Sequence, residues 1–395
     1  MPLPWRIAAL LACAASLNYA DRTAISSVFP LLKADLGLSD LHLAAVGTVF
    51  LWSYAAGSPF AGLIADRFSR SRVVVLSLFA WSLVTIITGF VRTPGELLFA
   101  RGVLGLTECA YLPAAIALIA DHHAQATRGR ATALHLMGLN AGLVAGGTLA
   151  GYLGEAHGWR ISLFVLGGAG IVLAGVCALW LRDAPHVGGV QLPQLAQVKR
   201  LLRQPSYLCI AAQAMLISVG SWMFLNWMPL FFRETYGLSL ALAGFSGSAV
   251  LQVSAVLGAL IGGFVSDKAA ARASTAGRLQ VMMWCYMICA PCLLVFVTGA
   301  GMWAVSAAVI FYSLFRAIAT ANETPSMCDL VDAGARSSAQ AFMNTANTLA
   351  GGVGVFIAGF LKADWGLAGV FAGVSGLMVI AVVLVWAARR FELRT

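Results

Sequence analysis

Apolar stretches of 18 or more residues recur along this chain with short polar breaks between them. About 20 apolar residues in an α-helix cross the hydrocarbon core of a bilayer. Spans are predicted near 7–30, 42–65, 73–91, 95–120, 131–153, 161–181, 207–232, 241–266, 279–298, 302–325, 338–361 and 366–388. In lipid each segment must satisfy its own backbone hydrogen bonds, so the expected fold class is an all-α membrane protein with twelve transmembrane helices. Composition excludes a water-soluble alternative. Only 10% of the residues are charged, against about 25% in a soluble domain, too few to cover a wet surface.

The longest polar stretch, 182–206, holds Arg182, Asp183, Lys199, Arg200 and Arg203. It divides the chain into an N-terminal six-helix bundle, 1–181, and a C-terminal one, 207–395, joined by a cytoplasmic linker. Loops on the N-terminal side of the membrane, with both termini, carry 17 Lys and Arg residues; the opposite loops carry five. The positive-inside rule then places both termini in the cytoplasm. The expected location is a bacterial inner membrane, crossed many times. The apolar run after Arg6 has no convincing cleavage site, so it reads as a retained first helix and not a signal peptide.

The net charge of +9 sits in short clusters between apolar runs, not in a basic stripe, so no nucleic-acid partner is expected. The eight cysteines are scattered; Cys285, Cys289 and Cys292 come nearest to a cluster and lack the histidine or acid that a zinc set needs. There is no phosphate-binding G-x-x-x-x-G-K-[ST] loop and no H-E-x-x-H. No cofactor, no metal and no enzyme activity are expected. The protein is expected to be a monomer in a lipid bilayer.

Three echoes link the two halves. Gly62-x-x-x-Asp66-Arg67 is matched by Gly263-x-x-x-Asp267-Lys268, and Arg128-x-x-Ala131-x-Ala133 by Arg336-x-x-Ala339-x-Ala341. Arg101 stands seven residues before Glu108, as Arg316 stands before Glu323. Together they indicate two parallel repeats, one of the recognised ways to build a carrier with a midplane site.

Six ionisable residues fall inside the spans: Asp21, Arg22, Arg101, Glu108, Arg316 and Glu323. Facing lipid unpaired, they would cost about 15–20 kcal/mol together. They are therefore expected to face one another or a wet cavity. On a helix, Asn18, Asp21 and Arg22 share a face, and Arg101, Gly105 and Glu108 share another. Tyr19, Tyr111 and Asn344 are candidate hydrogen-bonding partners for a solute. In the fifth span Gly138, Gly142 and Gly146 follow the small-x-x-x-small spacing of close helix packing.

Gly62-Leu-Ile-Ala-Asp66-Arg67-Phe-Ser-Arg70-Ser-Arg72 closely resembles the major facilitator superfamily signature G-x-x-x-D-R-x-G-R-R/K, with Ser69 where glycine is usual. The resemblance implies two six-helix bundles moving a solute by alternating access. It also implies a cytoplasmic gate made of Gly62, Asp66, Arg67, Arg70, Arg72 and the repeat partner Asp267. Asn18-Tyr19-Ala-Asp21-Arg22 resembles the N-Y-x-D-R of anion:cation symporters and of Spinster-type lipid transporters. Arg101-Gly-Val-Leu-Gly105-Leu-Thr-Glu108-Cys-Ala-Tyr-Leu-Pro113-Ala is similar to the symporters' R-x-x-x-G-x-x-E-A-x-x-x-P-A, with Cys109 for alanine. That narrower likeness implies that Asp21 and Glu108 exchange protons, that Arg22 binds the solute's anionic group, and that Arg101 neutralises Glu108; Asn18, Tyr19, Tyr111 and Asn344 are candidate solute-binding residues by their polarity in presumed cavity helices. Arg316 and Glu323 are expected to pair charge in the second half. Leu143 replaces the proline of drug/proton antiporters, which counts against drug efflux. The expected function is proton-coupled symport of a small organic anion, with Spinster-like lipid transport as the alternative.

Overall fold

The computed structural model describes residues 2–183, 201, 203–332 and 335–392, and every regular element among them is helical. The linker expected over 182–206 therefore falls largely outside the described residues. In the first half the order is α1 Leu3–Ser27, α2 Phe29–Leu36, α3 Asp40–Arg67, α4 Arg70–Thr88, α5 Pro94–Glu108, α6 Tyr111–His122, α7 Gln125–His157 and α8 Trp159–Trp180. There follow α9 Pro205–Tyr236, α10 Leu240–Leu293, α11 Met302–Ala321, α12 Glu323–Leu330 and α13 Arg336–Glu392, with a 3₁₀ turn at Leu294–Val297.

Local chemistry sets the breaks. Pro30 has no amide hydrogen and crowds the preceding turn, so α1 ends and α2 begins across Val28. Pro113 and Pro325 likewise cannot donate to the carbonyls four residues back, which splits the expected spans 95–120 and 302–325 into α5 with α6 and α11 with α12. Ser39, Ser69 and Thr93 cap α3, α4 and α5 by accepting from the backbone amides of His42, Arg72 and Glu96. α10 and α13 each run through two expected spans, with non-helical backbone at Ala273–Ser274 and at Gly366. Among the described residues nine helices are long and apolar enough to cross a membrane; α1, which holds Asp21 and Arg22, is not one of them.

The chain packs as two compact units, Met1–Gln191 with Leu225–Ser248, and Leu192–Phe224 with Ala249–Thr395. Division at the linker alone assigned 225–248 to the second half. The structure packs them with the first, where Glu155 accepts from the Leu240 amide at 3.1 Å and Phe29 meets Trp227 edge-on at 5.8 Å. Within the first unit α1 lies along α7, α4 along α8, and α3 along α5. Gly138, Gly142 and Gly146 bring α7 onto the α1 backbone at Ala12, Ser16 and Ala20; a Cβ at any of the three would come closer than 3.0 Å to that backbone.

The repeat has a definite register. Arg70 pairs with Asp121 in the first unit and Arg278 with Asp329 in the second. Arg128 donates to the Ala120 carbonyl at 3.1 Å, and Arg336 to the Cys328 carbonyl at 2.9 Å. Pro94 and Met302 open equivalent helices, and His122 and Leu330 end them. Every one of these correspondences has the same shift, 208 residues. That shift places Arg316 opposite Glu108 and Val309 opposite Arg101. The sequence echo of Arg101 and Glu108 in Arg316 and Glu323 is therefore out of register by seven residues, two helical turns, and is corrected here. Residues seven apart share a helix face, so the eye accepts either register.

Candidate functional site

Four charged side chains of the first unit are almost completely withdrawn from solvent: Asp21 and Arg22 on α1, Arg101 and Glu108 on α5, each 1–7% exposed. Gly105 makes their assembly possible. A Cβ there would come closer than 3.0 Å to the Phe50 carbonyl and the Tyr54 amide, so its absence lets α5 press on α3.

Arg22 turns toward α5. Its Nη2 and Nε both donate to Glu108 Oε2, at 3.1 and 3.3 Å, and Nη2 also donates to Asn18 Oδ1 at 3.2 Å. The guanidinium carbon lies 4.3, 4.9 and 5.2 Å from the ring centres of Tyr19, Tyr54 and Phe50, within cation–π range of all three. Glu108 Oε1 has no hydrogen-bond partner among the described residues. The ion pair is thus complete on one oxygen and open on the other.

Asp21 faces elsewhere. Its Oδ2 accepts from Thr85 Oγ1 of α4 at 3.2 Å, and it makes no ion pair among the described residues. The expectation of one shared face for Asn18, Asp21 and Arg22 holds only for Asn18 and Arg22, because successive helical residues diverge by about 100°. Arg101 does not contact Glu108. It lies against the Phe50 ring at 4.8 Å, with its Nε 3.5 Å from the Val46 carbonyl. Two turns of helix separate Arg101 from Glu108, about 10 Å, and Arg22 is the nearer cation. Two acids and two arginines balance in charge while sharing a single contact pair.

Other expected residues fall differently. The Tyr111 hydroxyl donates to the Leu11 carbonyl at 2.6 Å and lies 3.1 Å from His135 Nε2, a buried bridge to the α1 backbone, so it is engaged in packing. Asn344, in the second unit, is exposed and accepts from Gln340 at 3.0 Å. Arg316 and Glu323 were expected to pair; neither makes an ion pair or side-chain hydrogen bond among the described residues, although each lies within reach of the other's charge.

At the signature loop, α3 runs through Gly62 and Asp66 to Arg67, and the Asp66 side chain lies outside the described residues. Arg67, Arg72 and Asp267 are exposed. The acids that hold the loop are ones the sequence did not single out. Asp121 takes Arg70; Asp183 accepts from Ser69 Oγ, from the Ser71 amide at 2.8 Å and from Ser71 Oγ at 3.1 Å. Partial burial pushes the Asp183 carboxyl up, but the Ser69 and Ser71 hydrogen bonds outweigh it and hold the carboxyl below the usual range. A lowered pKa means the clasp is intact at neutral pH and is lost as pH falls through that value. Asp183→Asn is expected to speed hydrogen–deuterium exchange of the Ser71 amide by about tenfold at neutral pH. Among the described residues no group of three or more His, Cys, Asp or Glu is placed to hold a metal ion.

Among the described residues, then, the chain is all-helical, with nine helices long and apolar enough to cross a membrane and a buried set of two acids and two arginines, the make-up of a multi-pass membrane protein. The sequence profile of the Major Facilitator Superfamily matches residues 11–276, and the chain belongs to that superfamily. It is 28% identical over 297 residues to the probable galactarate/D-glucarate transporter GudP of Bacillus subtilis (strain 168), covering 67% of this chain and 64% of that protein, just under two thirds of its length. An MFS-type efflux pump of Mycolicibacterium smegmatis is 29% identical over 370 residues, 91% of this chain and 84% of the pump. Among solved structures, a bacterial homolog of the human lysosomal transporter Spinster, inward-facing and unoccupied, superposes with a TM-score of 0.84 at 20% identity, covering 100% of this chain and 98% of that one. At that identity the likeness is one of fold.

Proposed function

We propose that the chain is a proton-coupled symporter of a small organic anion, working by alternating access as a monomer in a bacterial inner membrane. In this reading it has twelve crossings in two six-helix halves and both termini in the cytoplasm. The observation that carries it is the Arg22–Glu108 pair: a buried guanidinium held by one oxygen of a carboxylate inside an aromatic box. A planar guanidinium suits bidentate recognition of a carboxylate, and a substrate carboxylate can replace Glu108 if Glu108 takes a proton. Proton uptake and anion binding are then one exchange at Arg22. Asp21, hydrogen-bonded to Thr85 and without an ion pair among the described residues, is the second protonation site. Galactarate and D-glucarate, for which the related GudP transporter is named, are the kind of anion meant. Asp66, Arg67, Arg70 and Arg72, with Asp267, form the cytoplasmic gate.

Proteoliposome uptake of D-glucarate, galactarate and simpler monocarboxylates, with and without an inward proton gradient, is the test. Uptake that rises with the gradient is expected. Asp21→Asn should abolish gradient-driven uptake while sparing anion exchange across the same vesicles; undiminished driven uptake would remove Asp21 from this role. Reversing the gradient settles direction, which the efflux-pump relative makes worth measuring.

The alternative is Spinster-like transport of a lysophospholipid or sphingoid lipid, supported by the Asn18-Tyr19-Ala-Asp21-Arg22 string. Its signature is movement of a lysolipid under conditions in which none of the acids moves.

A further inference from the structure

A second polar cluster, wholly within the second unit, has no part in the exchange at Arg22. Tyr312, Arg316 and Glu323 follow one face of α11 and α12. Across from them, Gln213 of α9 donates its Nε2 to the Tyr286 hydroxyl of α10 at 2.8 Å. Tyr286 lies close enough to Arg316 and Glu323 to feel both charges, and the Cys289 thiol, one turn on, reaches the Tyr312 carbonyl at 3.5 Å. Tyr286, Cys289, Tyr312 and Glu323 thus all lie within reach of the Arg316 charge, and Gln213 joins them through Tyr286.

What the cluster lacks is partners. Arg316 is half-buried and has five guanidinium hydrogens to donate, yet it makes no ion pair or side-chain hydrogen bond among the described residues. Gln213 Oε1 and the Tyr312 hydroxyl are fully buried, on residues with no exposure at all, and have no hydrogen-bond partner among the described residues. A buried polar atom without a partner costs about 1–3 kcal/mol, so these two buried atoms are a standing penalty, next to a cation without an ion pair among the described residues, unless something fills them.

The repeat register says why no internal acid does so. In the first unit the position equivalent to Arg316 is Glu108, whose partner is Arg22 of α1. The helix equivalent to α1 is α9, aligned by the left-handed glycines Gly37 and Gly237, each followed by Leu and Ser. In that alignment Trp222 stands where Arg22 does. The second unit thus presents a cation at the position of an acid and an aromatic ring at the position of its partner. Its charge is left for a ligand to balance.

Resting on the organic-anion reading above, we infer that Arg316 anchors a second anion subsite, in the second unit, which takes a carboxylate of a polyhydroxylated acid. The carboxylate answers the guanidinium. Hydroxyls answer the rest: Gln213 Oε1 can only accept, so it needs an O–H donor, which a bare carboxylate does not have, and the Tyr312 hydroxyl can exchange hydrogen bonds with a ligand hydroxyl. A simple fatty or dicarboxylic acid satisfies the cation alone; a sugar acid satisfies all three.

Calorimetric titration of the purified full-length protein with D-glucarate and with adipate, its six-carbon counterpart without hydroxyls, tests this. The intact protein is expected to bind glucarate more tightly than adipate. Arg316→Gln should weaken glucarate binding by about tenfold or more, with Arg316→Lys recovering part of the loss. Tyr312→Phe should weaken glucarate by about fivefold, leave adipate unchanged, and not lower the thermal midpoint, because it deletes a hydroxyl that has no internal partner. If Arg316→Gln does not yield monodisperse protein, Tyr312→Phe decides: unchanged glucarate affinity overturns the subsite. Glucarate binding that survives Arg316→Gln within twofold overturns it while leaving the organic-anion reading intact. An intact protein that binds neither acid ends both.

Discussion

Glu108→Ala is expected to destabilise the protein by about 3–5 kcal/mol, whereas the double replacement Arg22→Met with Glu108→Leu is expected to cost far less. The single change leaves Arg22 buried at 7% exposure with its carboxylate gone, and an uncompensated buried charge carries that penalty. Asn18 Oδ1, the Tyr54 side chain and the rings of Tyr19 and Phe50 stay beside it, but these are neutral groups around a full cation. The double change removes both charges and fills the volume with apolar atoms, which in buried pairs is often neutral or stabilising. Thermal unfolding of the double variant, of Arg22→Met alone and of Glu108→Leu alone closes the cycle and gives the coupling energy. Uptake should be lost in all three. Stability that returns while transport does not is the outcome expected of a pair kept for exchange. A double variant as unstable as Glu108→Ala would mean that the pair serves the fold, and the exchange reading would fail with it.

The sequence made the inventory of this site legible and left its wiring hidden. Insertion cost alone singles out Asp21, Arg22, Arg101 and Glu108, because lipid makes each charge too expensive to be incidental. Helical spacing then says which residues share a face, but it does not say which neighbouring helix that face meets. That is why Glu108 was assigned to Arg101, on its own helix, when Arg22 of α1 holds it. Thr85 carries no sequence signal, being one threonine among many in a helix. Phe50 and Tyr54 do: two aromatics at i and i+4 share a helix face and form a platform for a cation.

The repeat taught a related lesson. Arg–x₆–Glu occurs in both α5 and α11–α12, and the period of an α-helix makes a seven-residue slip invisible to pattern matching. Only contacts between elements fix the register, here Arg70 with Asp121 and Arg278 with Asp329. Those acids were missed for the same reason: a lone Asp at a helix end is unremarkable until the arginine that reaches it is known.

Gly142→Ala, the addition of one methyl group, is expected to cost about 1–3 kcal/mol and to abolish uptake, while Gly142→Leu should prevent folding altogether. A Cβ at 142 would come closer than 3.0 Å to the Ser16 carbonyl, and both sides of that contact are helix backbone, which cannot rotate away as a side chain can. Gly138 and Gly146 meet Ala12 and Ala20 in the same manner, so α1 has no slack one turn up or down. Lipid adds no hydrophobic pressure to hold two helices together, and close packing of small residues is what remains. Pushing α1 off α7 at Ser16 moves Asn18, Asp21 and Arg22, which lie within the next two turns, away from their partners on α4 and α5. Gly175→Ala in α8 is the control: nothing lies within 4 Å of a Cβ there, so alanine's higher helix propensity should leave it neutral or stabilise it by about 0.5–1 kcal/mol. Thermal midpoints and uptake measured on both variants separate the two effects of the same methyl group. Equal behaviour at 142 and 175 would show that α7 does not position the charges of α1, and that the site owes its geometry to other contacts.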